Sequence, residues 1–150
     1  MAGSLALTSV LPALEKGSRK YSFAWLSDAA GDVSGNYTNG VGSVTAAPDV
    51  WGFPGAIIGT LHRVAFIPDG GGTQPTTLYD VTLLDENAID VLGGQGANLS
   101  NSVASHVCPG VPLKDGTTTG TTPIKLRDVL QLVVANAGNA KGGTVVLYVD

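Results

Sequence analysis

The stretch YDVTLLDENAIDVLGG, residues 79–94, sets four carboxylates, Asp80, Asp85, Glu86 and Asp90, into a run of apolar residues and glycine. Carboxylates so close can ligate a hard cation or supply the acid/base pair that hydrolyses a glycosidic bond. A calcium loop of the EF-hand type needs oxygen ligands at alternate positions, a central glycine and a closing bidentate glutamate. Asp85-Glu86-Asn87-Ala88-Ile89-Asp90 lacks that spacing and puts Ile89 where a polar ligand or glycine is needed. A glycosidase pair would come from different strands across a cleft, and spacing alone does not exclude it. Carboxylates are mostly exposed, which favours a structural reading. Asp85-Glu86-Asn87 then ends a strand and enters a turn, with Asp90 the polar neighbour of Ile89 and Val91.

His62 and His106 are the only histidines. His62 falls in a strand pattern beside Arg63, whose charge would repel a metal ion. His106 and Cys108 form a His-x-Cys pair that invites a metal or nucleophile hypothesis, but no further His or Cys stands nearby. No serine lies in a G-x-S-x-G elbow, and the glycine runs form neither a G-x-G-x-x-G fingerprint nor a GK[ST] phosphate loop. No catalytic residue, metal or cofactor is therefore expected.

Aromatic residues leave the remaining signal. APDVWGFPG holds Trp51 and Phe53 between prolines, in the same long connection as Tyr37. Trp51 either folds back to plug one end of the fold or is buried in a neighbouring subunit, since tryptophan is enriched at interface hot spots. Tyr37, Val50, Trp51 and Phe53 are the candidate partner-contact residues. A carbohydrate surface with Trp25 or Trp51 as stacking platform is a further reading, without the charged and amide cluster that sugar sites usually add.

The elements that must position these residues are β-strands. In RKYSFAWL, Tyr21, Phe23 and Trp25 alternate with Ser22, Ala24 and Leu26, as a half-buried strand requires. GTLHRVAFIPD sets His62, Val64 and Phe66 against Leu61, Arg63, Ala65 and Ile67, and stops at Pro68 and Asp69-Gly70-Gly71-Gly72. TTLYDVTLLD alternates again. Two C-terminal runs, about 129–135 and 143–149, flank the turn-forming NAGNAKGG and predict a β-hairpin. Residues 29–55 and 93–123 read as long Gly-rich loops, a length that is usually functional or ordered by something else. An extra strand at 41–46 and a short helix within Ala97–Val107 are the elements they could hide. Residues 1–17 read as an N-terminal arm or edge strand. The expected fold is one all-β domain over 1–150, with a two-sheet β-sandwich or jelly-roll-like core.

Composition narrows the function. A chain of 150 residues can bury roughly 70% of its unfolded surface, enough for one core. Only 13% of residues are charged while 43% are apolar, against about 25% charged in a typical domain. Much of the surface is thus neutral or given to a partner. The net charge is −4 and no basic cluster exceeds Arg19-Lys20, which argues against nucleic acid as partner. A single cysteine excludes an intrachain disulfide and a four-cysteine zinc site, and suits a reducing cytosol. No apolar run reaches the roughly 20 residues of a membrane span, and MAGSLALTSVLPALEKG lacks a basic n-region, so neither membrane nor signal peptide is expected.

The stretch TTLYDVTLLDENAIDVLGGQGANLSNS (76–102) and the closing VANAGNAKGGTVVLYVD (134–150) resemble small proteins encoded among the virion structural genes of tailed bacteriophages. The shared elements are YDVTLLD, DVLGG with the following AN, and the terminal NAG…K…GTVVLYV, under half of the chain. The resemblance implies a head decoration, or cement, protein: non-enzymatic, β-rich and homo-oligomeric as dimer or trimer. Such a protein binds the capsid exterior and clamps neighbouring major capsid protein subunits, after assembly in the host cytoplasm. Residues 1 to about 55 lie outside the resemblance, and partner identity would be encoded there. A neck or tail component and a carbohydrate-binding β-sandwich module are the alternatives.

Overall fold

Each run of period-two patterning folds as a strand. A computed structural model describes residues 4–12, 19–38, 41–44, 57–85, 87–112, 121–126 and 130–150. Twelve strands form among them in chain order: β1 (Ser4–Pro12), β2 (Arg19–Leu26), β3 (Val33–Thr38), β4 (Val41–Val44), β5 (Gly59–Pro68), β6 (Asp80–Leu84), β7 (Ser105–Val107), β8 (Val111–Pro112), β9 (Thr121–Thr122), β10 (Ile124–Leu126), β11 (Leu130–Ala135) and β12 (Gly142–Val149). One 3-10 turn covers Gly71–Thr73, and no α-helix forms among the described residues. Among the described residues no helix is long and apolar enough to cross a membrane.

The strands make two main antiparallel sheets. The larger has the order β1-β2-β12-β5-β10, with β7 also on β5; the second has the order β4-β3-β11-β6, and β8 and β9 form a separate short ladder. One hydrophobic cluster draws on both main sheets: Tyr21, Phe23, Trp25, Val64, Phe66, Val145 and Leu147 from the larger, Val81, Leu83, Leu132 and Val134 from the second. Trp25 and Tyr79 meet within it, ring centroids 5.7 Å apart and planes tilted by 39°. The alternation of Tyr21, Phe23 and Trp25 thus becomes the buried face of β2.

Tyr79 is only 1% exposed, and its burial pushes the phenol pKa from 10.0 up to about 12. The unfolded chain then gives up this proton first. The contribution is complete below pH 10 and is lost as pH rises from 10 towards 12. By pH 11 the loss is on the order of 1 kcal/mol, and Tyr79→Phe removes it. Urea titrations of both proteins at about pH 9 and about pH 11 check this; equal losses in the two would contradict it.

The hairpin expected from 129–135 and 143–149 does not form. β11 pairs with β3 and β6 in the second sheet, whereas β12 pairs with β2 and β5 in the larger one. β12 explains why: Gly142, Gly143, Val145, Val146, Leu147 and Val149 are all buried, so the strand needs cover on both faces and a neighbour on each side. The connection crosses between sheets through left-handed backbone at Asn136 (φ 60°), Gly138 (φ 87°) and Ala140 (φ 52°). Ser27, wholly buried after β2, pins it. Its hydroxyl donates to the Gly138 carbonyl and accepts the Lys141 N–H at 3.0 Å.

The phase of β5 also differs from the expected alternation. Leu61, Val64 and Phe66 are buried, while His62 and Arg63 are exposed. The register against β12 shifts by one residue: Tyr148 stands opposite Arg63 and Val149 opposite Leu61, leaving His62 as the extra residue of a bulge. The connections 29–55 and 93–123 hold β3 and β4 in the first case and β7, β8 and β9 in the second. No helix forms in Ala97–Val107. Asn98 has left-handed backbone (φ 55°), Leu99 bridges to Tyr79, and the segment ends as β7.

Candidate functional site

Asp80, Asp85 and Asp90 build turns around an edge strand. β6 ends the second sheet, and an open edge invites pairing with another chain. Residues 90–99 fold back along it. Val81 N–H donates to the Gly96 carbonyl at 2.8 Å, while the carbonyls of Leu83 and Tyr79 accept N–H bonds from Val91 and Leu99, each at 2.8 Å. Where a backbone partner is missing, Asp90 stands in. Its Oδ1 accepts from Leu83 N–H (3.3 Å) and Leu92 N–H (3.0 Å), and its Oδ2 from Gly94 N–H (2.8 Å).

The neighbouring acids do related work. Asp85 Oδ1 accepts the N–H groups of Asn87 and Ile89, both at 2.9 Å, and so closes the turn after β6. Asp80 accepts Asn98 N–H on one oxygen and the Asn136 side-chain amide on the other, both at 2.8 Å. Glu86 lies outside the described residues. Outside the stretch, Asp28 organises the turn after β2, accepting from Ala30 N–H (2.8 Å) and Asp32 N–H (3.1 Å). These donors, the Asp32 N–H foremost, hold the Asp28 carboxyl below its usual pKa. The sequence signal for it is SDAAGD, an Asp followed by small residues and a glycine, which marks a turn but not a function.

Asp90→Ala leaves three backbone donors without their acceptor. A loss of about 2 kcal/mol in unfolding free energy is expected, by the cost of removing one charged capping acceptor. The midpoint of urea unfolding measures it, and an unchanged midpoint would remove Asp90 from this role.

Asp85 and Asp90 do share a cleft of about 230 Å³, with Ile89, Val91, Gly110 and Ile124 among its other walls. Apolar surface dominates that lining, and the Asp90 oxygens are both occupied by backbone N–H groups. The arrangement suits a small apolar contact better than acid/base chemistry, which needs a carboxyl free to exchange a proton. No family model, curated protein or solved structure matches this chain.

The other candidates disperse. His62 pairs with the Asp150 carboxylate at the bulge of β5, whereas His106 stands in β7 opposite Ala65, and Cys108 is exposed two residues further on. The described residues contain no group of three His, Cys, Asp or Glu able to hold a metal ion. Trp25 is buried in the core at 4% exposure and offers no stacking platform to a sugar. Tyr37 lies in β3, opposite Leu130 on one side and Gly42 on the other. Val50, Trp51 and Phe53 lie outside the described residues.

Proposed function

We propose that this chain is a head decoration, or cement, protein of a tailed bacteriophage, a non-enzymatic component of the virion on the capsid exterior. The resemblance of residues 76–102 and 134–150 carries the reading. Those stretches supply β6, the turns that close its edge, the crossing between sheets and β12. A β-sandwich of jelly-roll-like build is the finer description we attach to the two sheets and their shared core. Its partners are the major capsid protein and further copies of itself, as dimer or trimer, with neither nucleic acid nor membrane involved. Tyr37, Val50, Trp51 and Phe53 are the residues we assign to partner contact.

The mechanism is mechanical. Each copy adds interface across a subunit boundary, and many symmetric copies raise the barrier to shell rupture although each binds modestly. Carboxylates spent on backbone turns and a low charge content fit a protein that works through surface.

Co-sedimentation with shells lacking the protein, before and after expansion, tests the reading. Saturation at a fixed ratio to the major capsid protein, together with shells that survive higher temperature, is expected. Binding to neither shell form would overturn it and move the protein to the neck or tail, or out of the particle.

A further inference from the structure

Charge is unevenly placed on the larger sheet. Lys20 of β2 stands opposite Tyr148 of β12, which stands opposite Arg63 of β5. The Arg63 guanidinium lies over the Tyr148 ring, 3.9 Å from its centroid. Tyr21, Leu147 and Val149 belong to the core, so strand alternation sends Lys20 and Tyr148 to the outer face. Lys125 reaches the same face from between buried Ile124 and Leu126, its Nζ 3.0 Å from Thr60 Oγ1. Arg19, exposed, begins β2 beside them. The described carboxylate at this place is Asp150, ion-paired with His62.

The same strands end in the opposite charge. β2, β12 and β5 run from that basic face to Leu26, Gly142 and Pro68, a distance of about 23 Å for eight extended residues. Asp28, Asp32, Asp69 and Asp80 gather beyond that end. Asn136 ties two of them, donating its N–H to Asp32 at 3.3 Å and its side-chain amide to Asp80 at 2.8 Å, and Asp69 N–H donates to the Gly142 carbonyl at 3.1 Å. Lys141 is the cation described there, its Nζ turned to the Gly72 carbonyl at 2.9 Å. Asp85 and Asp90 face the cleft at Ile124, the core-side neighbour of Lys125.

The geometry points to a head-to-tail contact between copies of this chain. The outer face bearing Lys20, Tyr148, Arg63 and Lys125 of one copy takes the turn end bearing Asp28, Asp32, Asp69 and Asp80 of the next. Two unlike surfaces in contact form a heterologous interface, which closes into a ring or extends as a chain. The occupant follows from charge complementarity within one molecule, and the inference stands apart from any binding to a shell. Exposed ion pairs are screened strongly, so such a contact is weak and salt-labile. Arg63, already stacked on Tyr148, loses less freedom on docking than a solvated arginine would.

Sedimentation velocity of the purified full chain tests it in low and high salt, with Debye lengths of about 20 Å and about 4 Å. Self-association is expected in low salt, with the association constant at least about tenfold smaller in high salt. K20E/R63E then presents two acidic surfaces and D32K/D69K two basic ones, so each alone is expected to be monomeric in low salt. Their equimolar mixture is expected to associate again. A monomeric parent chain in both salts, or association that neither double variant weakens, would overturn the proposal. The salt comparison on the unaltered chain decides even where a variant fails to fold, which circular dichroism reports.

Discussion

Trp25→Ala is expected to lower the unfolding free energy by about 3–5 kcal/mol, the range for removing a large aromatic from a closed core. Trp25 is 4% exposed and packs against Tyr79, the residue just before β6. Its ring also lies on the backbone of Gly143 in β12, where a Cβ would come within 2.8 Å of the ring carbon Cζ2. Gly143 has no side chain to swing into the space left behind, and it is itself held by ladders to β2 on one side and β5 on the other. The cavity therefore stays largely open, which puts the cost at the upper part of the range. Urea unfolding followed by far-UV circular dichroism measures it. A loss under about 1 kcal/mol would mean that the sheets close over the site, contrary to the packing described. Trp25→Phe, which keeps most of the ring contact, is expected to lose less than half as much.

Gly96→Ala should be nearly as damaging, with an expected loss of about 3 kcal/mol or more. A Cβ at Gly96 would stand 2.0 Å from the Val81 carbonyl oxygen and 3.0 Å from Leu92 Cδ1. Neither neighbour yields easily: Val81 lies within β6 and is paired with Val134, and Leu92 is buried at 1% exposure. The cover of β6 must then move away, and the 2.8 Å bond from Val81 N–H to the Gly96 carbonyl goes with it. The opened edge adds a second readout, since an unpaired edge strand promotes aggregation. Lower urea resistance together with faster aggregation on warming is the expected pair. Stability within about 0.5 kcal/mol of the parent would show that residues 90–99 do not hold the edge.

Trp25 and Gly96 differ in how visible they were. Trp25 is legible because alternation at Tyr21, Phe23 and Trp25 is a local pattern, and one buried face requires it wherever the strand is placed. Gly96 is one of 21 glycines, and nothing local separates a turn glycine from one pressed against a carbonyl 15 residues away. The carboxylates of 79–94 fall between these cases. The turn-forming character of Asp85 was readable from Asp85-Glu86-Asn87, but not that Asp90 would replace a missing strand along β6. That role depends on β6 lying at the end of its sheet.

The chain by itself therefore determines its all-β character, the inward residues of β2 and the absence of familiar catalytic motifs, because these rest on side-chain type and a period of two. Pairing is decided elsewhere. The two C-terminal runs read as a hairpin, yet β12 buries residues on both faces and is drawn between β2 and β5, while β11 joins the other sheet. One extra residue at His62 likewise turns the start of β5 against its own alternation. Both outcomes follow from long-range competition for buried surface. A local turn signal worth about 1 kcal/mol is outweighed by the burial of several Val and Leu side chains, each contributing about 1.5–3 kcal/mol.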